Sequence, residues 1–296
     1  MKNLLFMIFT ILVLMIYSNT LKDLVNFSLQ SELYSHLVAI PFVSAYFIYL
    51  KRRDLFSHSG YSYGAGTSLI VCGSILYLIG WNQGRWLSRG DMLSLSILSA
   101  VVLWTGGFVF FYGARVLRIS AFPFLFLLFM VPVPKAIMDG VITFLQKGST
   151  EVTHALFVIL GIPLVREGVT FNLAGICVEV AKECSGIRSS IALVIVGILS
   201  AVLYLKTPWK RILLVLSTVP LAILKNAVRI VTLSLLGLYV DTRWITGSNL
   251  HRRGGVAFFL FSLLLMFPLL LLLRRSERKA RADEDQKQAG TGDACA

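Results

Sequence analysis

Long apolar runs, separated by short polar or basic segments, constrain this chain more than any other feature. Several runs approach the roughly 20 residues that an α-helix needs to cross a hydrocarbon core ~30 Å thick. With 56% hydrophobic and only 15% charged residues, the chain cannot form an ordinary water-soluble globule. We therefore predict an all-α polytopic membrane protein with about eight transmembrane helices. The predicted spans cover residues 4–17, 33–50, 63–81, 92–112, 119–133, 185–205, 212–240 and 254–273.

The basic clusters between these runs indicate how the chain is oriented. A formal net charge of +13 is compatible with a nucleic-acid partner, but the Lys and Arg residues do not gather on one polar face. They follow alternate runs, at 51–53, 115–118, 206–211 and 274–275, which the positive-inside rule explains better. We therefore predict no nucleic-acid partner, a location in the cell inner membrane, and both termini in the cytoplasm.

The sequence pattern changes between the fifth and sixth runs. Residues 136–160 have helical periodicity with one apolar face, which predicts an amphipathic helix at the membrane interface. This face carries Ile137, Val141, Phe144 and Leu145, whereas Asp139, Gln146 and Lys147 lie off it. Residues 163–180 are rich in Val, Thr, Phe and Gly with partial alternation, which predicts a short β-like segment on the outer side of the membrane.

These patterns divide the chain into three regions. Residues 1–118 form a four-span membrane region, and residues 119–275 form the membrane domain that carries the candidate site. Residues 276–296 are polar and charged, which is typical of a disordered tail, here in the cytoplasm. One alternative stays open: if residues 156–162 belonged to a ninth span, the segment that follows would be cytoplasmic, although the basic loop after Leu205 argues against it.

A polar stretch at 177–190 lies directly before an apolar run and contains acids, bases, thiols and hydroxyls. Counting outward from the inner basic clusters at ~1.5 Å per residue places Cys184 at roughly 33 Å, Arg229 at about 27 Å and His251 at about 35 Å. The three residues thus reach similar depth near the outer surface, on three consecutive spans. Because consecutive spans usually pack as neighbours, we predict that they form one site that faces the periplasm or exterior.

The residue types at this depth suit acyl transfer by a cysteine. Cys184 precedes Ser185 and Gly186 at the predicted start of a helix, where exposed N–H groups favour a thiolate. His251 is suited to act as the base or as the proton donor to a leaving amine. Arg229 keeps its proton and can stabilise a developing oxyanion or bind a substrate carboxylate. The predicted supporting or substrate-binding residues are Arg188, Asn226, Lys225 and Ser185.

Simpler structural roles are open to each of these residues. A single cysteine at a helix end is more often a small apolar side chain, and an interfacial histidine is more often an anchor. Arg229 is harder to explain in this way, because an arginine in so apolar a run normally faces protein or water and is functional. Lys225 and Arg188 either line the same cavity or extend toward the interface. A disulfide between Cys177 and Cys184 stays open, and since the four Cys and four His residues lack metal-ligand spacing, we expect neither metal nor cofactor.

Four short motifs carry most of these residues. They are Glu-Cys-Ser-Gly-Ile-Arg-Ser at 183–189, Leu-Lys-Asn-Ala-Val-Arg-Ile at 224–230, His251 followed by Gly254 and Gly255, and Leu-Val-Arg-Glu-Gly at 164–168. In this order and spacing they resemble the exosortase/archaeosortase family of polytopic membrane enzymes, over roughly residues 123–273. The resemblance implies a thiol protease or transpeptidase with Cys184 as nucleophile and with Arg229 and His251 as its partners.

The resemblance also implies the partners of the protein. Its substrates would be exported proteins with a C-terminal sorting segment, made of a motif such as Pro-Glu-Pro (PEP-CTERM-like), a hydrophobic span and a basic tail. The acyl acceptor would be water or an amine on a glycolipid or polysaccharide, and membrane lipids would surround the enzyme.

A different class of function is compatible with the same basic residues. A membrane transporter or a lipid-linked exopolysaccharide biosynthesis factor would bind an anionic glycolipid through Lys225, Arg229 and Arg188. Such a protein predicts charges nearer the membrane midplane and does not need a thiol. A purely structural scaffold is a third interpretation, which leaves Arg229 unexplained.

Overall fold

The computed structural model describes residues 1–57, 60–82, 88–182, 186–240 and 255–292. Over these residues the chain is mostly helical with one small β-sheet, in agreement with the predicted helical membrane class. Five of the described helices are long and apolar enough to cross a membrane. The number of candidate spans rises to as many as seven if each of two bent helix pairs counts as one span. The described helices therefore do not reach the predicted count of eight. By its contacts the chain divides into two compact units, Met1–Asp139 and Gly140–Ala296, whereas the functional boundary between residues 118 and 119 stays a prediction.

The first unit is built from helices of very different length. Its helices are α1 Lys2–Ile16, α2 Ser18–Gln30, α3 Ile40–Leu50, α4 Arg52–Ser57, α5 Tyr63–Asn82, α6 Arg89–Tyr112, α7 Ala114–Ile119 and α8 Ala121–Leu127. Helices α5 and α6 correspond to two predicted spans and pack against each other. A Cβ at Gly73 would lie 2.8 Å from the backbone nitrogen of Leu103, so the missing side chain allows the close approach of these two helices.

Two predicted spans of this unit are interrupted. The apolar run at 4–17 ends where α1 meets α2 at a bend of 64°, with Tyr17 buried at the junction. The run at 33–50 becomes α-helical only from Ile40, because Pro41 suits the first turn of a helix better than its interior. Hydropathy therefore locates both runs but not their breaks, which depend on single residues.

The second bent pair joins the helical segment Ala121–Met130 to α9, Lys135–Ile159. The first segment corresponds to the predicted span at 119–133, and it ends ahead of Pro132 and Pro134, which cannot continue a helix without losing hydrogen bonds. Helix α9 confirms the helix predicted at 136–160. Its position at the membrane interface stays a prediction.

The second unit contains a three-stranded antiparallel sheet, which confirms the predicted β-like segment. Its strands, in sheet order, are β1 Leu164–Glu167, β2 Thr170–Leu173 and β3 Ile176–Glu179. Gly168 and Gly175 lie in the two turns with φ angles of 63° and 94°, which glycine adopts without strain. One face of the sheet is apolar, and Phe171 on that face packs edge to face on Phe157 of α9 with ring centroids 5.6 Å apart.

Three further helices of the second unit lie within the described residues. They are α10 Ile187–Tyr204, α11 Pro208–Tyr239 and α12 Gly255–Gly292. Each contacts the other two, as predicted for consecutive spans. Leu193, Leu214 and Met266 belong to the apolar core that the three helices share.

Helix α12 continues beyond the last predicted span. The sequence predicts a disordered tail from residue 276 onward, whereas residues 276–292 continue helix α12. Glu277 explains part of this, because its side chain is buried and its carboxylate accepts hydrogen bonds from the N–H groups of Lys206 at 3.1 Å and Thr207 at 2.5 Å, and from the Thr207 hydroxyl. These N–H groups lie at the start of α11, so Glu277 caps that helix. The residues that follow are mostly good helix formers.

Replacing Glu277 by alanine should destabilise the second unit, because the capped N–H groups would be left without an acceptor. We expect a loss of about 1–3 kcal/mol, measured as a lower midpoint of thermal unfolding in detergent. Glu277→Gln keeps one acceptor oxygen and should lose less. Arg278→Ala, at an exposed neighbouring position, is the control; a Glu277→Ala protein that unfolds at the same temperature as this control would contradict the cap.

Candidate functional site

Four of the predicted site residues lie in the described part of the second unit. Arg229, Lys225 and Asn226 are on α11, and Arg188 is in the first turn of α10. Cys184, Ser185 and His251 lie outside the described residues, so their predicted roles stay predictions.

Helix α11 presents Lys225, Asn226 and Arg229 to the protein. At these spacings the three residues lie on one side of a helix. Lys225 is 1% exposed and Asn226 is fully buried, whereas Arg229 is half-buried. A lysine and an arginine one turn apart therefore make the inward side of this apolar helix strongly basic.

Lys225 is linked to the start of α10. Its Nζ donates a hydrogen bond to the hydroxyl of Ser189, and the Ser189 hydroxyl donates to the carbonyl of Gly186 at 3.0 Å. No ion pair to Lys225 occurs in the described part of the chain. The ammonium is thus held by a neutral hydroxyl, next to the first residues of a helix that follows Cys184 in the sequence.

Asn226 links α11 to α9. Its Nδ2 donates to the hydroxyl of Ser149 at 3.1 Å, and Gly148 beside it packs on Ile223 of α11. The other side-chain atom, Oδ1, is buried and has no hydrogen-bond partner among the described residues. Buried acceptors of this kind are rare in folded proteins, so Oδ1 is available to a donor that reaches the site.

Helix α9 has a buried polar stripe that was not predicted from the sequence. The residues of this stripe are Gln146, Ser149, Thr150 and Thr153, and the buried apolar residues of the same helix are Met138, Leu145 and Phe157. Gln146 donates to the carbonyl of Val180 at 2.6 Å and so fixes the chain just after β3. The predicted apolar face of α9 needs one correction, because Leu145 is buried, whereas Ile137, Val141 and Phe144 are exposed. The helical spacing of the four polar residues was the signal that could have located this stripe.

The first turn of α10 is shaped by Gly186. This residue has a left-handed conformation with φ of 68° and ψ of 19°, and its carbonyl accepts from both the N–H and the hydroxyl of Ser190 at 2.9 Å. Arg188 is exposed and the buried Ser190 faces the protein. The predicted role of Arg188 in the site stays a prediction.

The Leu-Val-Arg-Glu-Gly motif has a structural explanation. Arg166 of β1 forms a two-pronged ion pair with Glu151 of α9, with N to O distances of 2.9 and 2.5 Å, and its Nε donates to the carbonyl of Gly168 at 3.0 Å. The hydrogen bond to the carboxylate raises the pKa of the Arg166 guanidinium. The motif thus fastens the first turn of the sheet to α9.

The described residues contain no group of three His, Cys, Asp or Glu side chains that could hold a metal ion. Cys177 on β3 is an exposed free thiol. Its predicted alternative partner, Cys184, lies outside the described residues.

Substitution of Gly186 tests the close packing of Lys225 and Asn226 against the start of α10. A Cβ at this position would lie 3.0 Å from Asn226 Oδ1 and 3.5 Å from Lys225 Nζ, in addition to the strain of the left-handed backbone. Gly168 has a similar φ of 63° but open space around its Cβ position, so Gly168→Ala carries the strain alone, about 1–2 kcal/mol. We expect Gly186→Ala to lower the thermal midpoint more than Gly168→Ala; equal effects would contradict the close packing at Gly186.

The comparisons with known proteins agree with the motifs. A protein-family model described as transmembrane exosortase matches residues 28–268, a region that includes Cys184, Arg229 and His251 and begins well before the four motifs. No curated protein and no solved structure matches the chain. Since the family model covers more than half of the 296 residues, the chain belongs to the transmembrane exosortase family.

Proposed function

We propose that this membrane protein is a cysteine protease or transpeptidase that removes a C-terminal sorting segment from exported proteins. The observation that carries the proposal is the arrangement around the start of α10. There the buried side chains of Lys225 and Asn226, one turn before Arg229, surround Gly186, which follows Cys184 by two residues. A purely structural helix pair in a membrane has no need of so much polarity, because polar groups are costly in an apolar medium.

The chemistry assigns one task to each residue. The Sγ of Cys184 attacks the carbonyl carbon of the scissile peptide bond, and His251 accepts the thiol proton. Arg229 stabilises the oxyanion of the tetrahedral intermediate. His251 then gives the proton to the leaving amine as the C–N bond breaks, which leaves a thioester on Cys184. Water or an amine attacks this thioester, the C–S bond breaks, and the thiol is restored.

The proposal includes the substrate and the location. The substrate is an exported protein that ends in a short motif, a hydrophobic span and a basic tail, and the acceptor is water or an amine on a glycolipid or polysaccharide. The enzyme lies in the cell inner membrane with both termini in the cytoplasm and the site facing the periplasm or exterior. The basic clusters at 206–211 and 274–275 support this orientation, because they anchor the opposite ends of α10, α11 and α12 in the cytoplasm.

Cys184→Ala should abolish processing, because no other group in the proposed mechanism can form the acyl-enzyme. We expect exported proteins with the tripartite ending to accumulate at precursor size, measured by immunoblotting of membrane fractions. Cys72→Ala, at an exposed position in α5, is the matched control and should process normally. Normal processing by Cys184→Ala would overturn the nucleophile assignment.

The anionic-glycolipid alternative is favoured by one observation, the two cations Lys225 and Arg229 on one side of α11. Arg188, its third predicted ligand, is exposed on α10. A membrane-impermeant thiol reagent separates the two functions. If Cys184 cannot be labelled from outside and the Cys184→Ala strain keeps its phenotype, the glycolipid function replaces the protease.

Lys225→Met should separate a functional role of this lysine from a structural one. Methionine keeps much of the length and removes a buried charge whose hydrogen-bond partner among the described residues is a neutral hydroxyl, so we expect the thermal midpoint to stay the same or rise. Processing should nevertheless fall by about ten- to a hundredfold, because the basic surface beside Gly186 is lost.

Lys210→Met is the matched control for this experiment. Lys210 is also buried on α11, and its Nζ donates to the Ser276 hydroxyl at 3.2 Å near the other end of the helix. This variant should process normally. Equal processing by both variants would show that Lys225 serves the fold alone.

A further inference from the structure

The three-stranded sheet of the second unit has an open edge at β3. The N–H of Val180 donates to the carbonyl of Val169, the residue directly before β2, so the N–H at position 180 points toward that strand. Along an antiparallel strand these groups alternate in direction from residue to residue. The N–H and C=O groups of Cys177 and Glu179 therefore point away from β2.

Nothing in the described part of the chain pairs with these groups. Cys177 and Glu179 are exposed, whereas Ile176 and Val178, which alternate with them, pack toward Phe171 and the residues of α11 around Val231. The strand thus fixes its apolar side chains in the protein core and leaves a row of main-chain donors and acceptors unpaired. Such an edge is a template for the addition of another strand.

The two edge strands of the sheet, β3 and β1, are connected to different parts of the second unit. The chain passes from Glu179 through Val180, whose carbonyl is held by Gln146, and reaches Cys184 after five residues. The far edge, β1, is joined instead to α9 through the Arg166–Glu151 ion pair. An extended peptide that paired with β3 would therefore lie beside a strand that precedes the proposed nucleophile by five residues in the sequence.

We propose that β3 binds the substrate by strand addition, with the residues that precede the hydrophobic span of the substrate forming a fourth strand on this edge. The inference rests on the proposed function and specifies how that site recognises its substrate. Main-chain hydrogen bonds at Cys177 and Glu179 hold the peptide in an extended conformation. Affinity of this kind depends little on the side chains of the substrate, so one enzyme can process several proteins that share a short motif.

Proline substitution tests the edge directly. Cys177→Pro removes the outward N–H without removing a bond to β2, and proline is tolerated at such edge positions. Cys177→Ala keeps the N–H and is the reference. We expect precursor processing by Cys177→Pro to be about tenfold slower than by Cys177→Ala, the effect of one lost hydrogen bond. The same comparison on β1, Arg166→Pro against Arg166→Ala, should give equal rates.

A photocrosslinking experiment covers the case in which proline disturbs the fold. A photoreactive amino acid replaces Glu179 on β3 or, as control, Val165 on β1, which is 61% exposed and lies two strands away, about 10 Å. Both substitutions are made in the full-length Cys184→Ala protein, which retains precursors. Position 179 should capture the precursor and position 165 should not.

The outcomes separate this inference from the proposed function. If Cys184→Ala accumulates no precursor, the protease function is wrong and strand addition falls with it. If precursor accumulates but Cys177→Pro processes as fast as Cys177→Ala and position 179 captures nothing, strand addition at β3 alone is overturned. Capture at position 165 instead of 179 would also overturn it.

Discussion

The burial of polar side chains on α11 is the constraint on which the rest of the second unit depends. A polar group without a partner in an apolar medium costs several kcal/mol, about 2–7 in transfer measurements. Lys225 and Asn226 are both buried, so the helices beside them must supply partners. Ser189 of α10 does so for the Lys225 ammonium, and Ser149 of α9 does so for the amide nitrogen of Asn226. These two contacts fix the rotation of α9 and α10 about their axes, which apolar packing alone would leave less well defined.

Helix α11 is held at two points by different means. Just before its first residue, Glu277 of α12 accepts from the N–H groups of Lys206 and Thr207. Just past its middle, the hydroxyls of α10 and α9 hold Lys225 and Asn226. Between these two points lies the apolar core shared by α10, α11 and α12. A helix fixed at two points can hold Arg229 in one position relative to the start of α10, which the proposed role of Arg229 requires.

Much of this architecture follows from periodicity and hydropathy, and the remainder depends on contacts between elements. The spans at 63–81, 185–205 and 212–240, the helix at 136–160 and the β segment were all predictable, because each pattern is local. The break at Pro41 and the continued helix after Glu277 were missed, since a hydropathy window averages over single residues. The partners of Lys225 and Asn226 could not be predicted, because they depend on which faces of three helices meet. The roles of Cys184 and His251 still rest on the motifs.

The open edges of the sheet limit where in the membrane the site can lie. Hydrocarbon offers no hydrogen bonds, so unpaired main-chain groups such as those of Cys177 and Glu179 are not tolerated there. They require water, headgroups or a peptide partner, and β3 must therefore lie outside the hydrocarbon core. The sheet is fixed to α9 by the Arg166–Glu151 ion pair and to α11 by apolar packing, so it lies against the helix that carries Arg229. Under the proposed function, the scissile peptide bond lies just outside the hydrophobic span of the substrate, and this is a depth that such a strand edge can occupy.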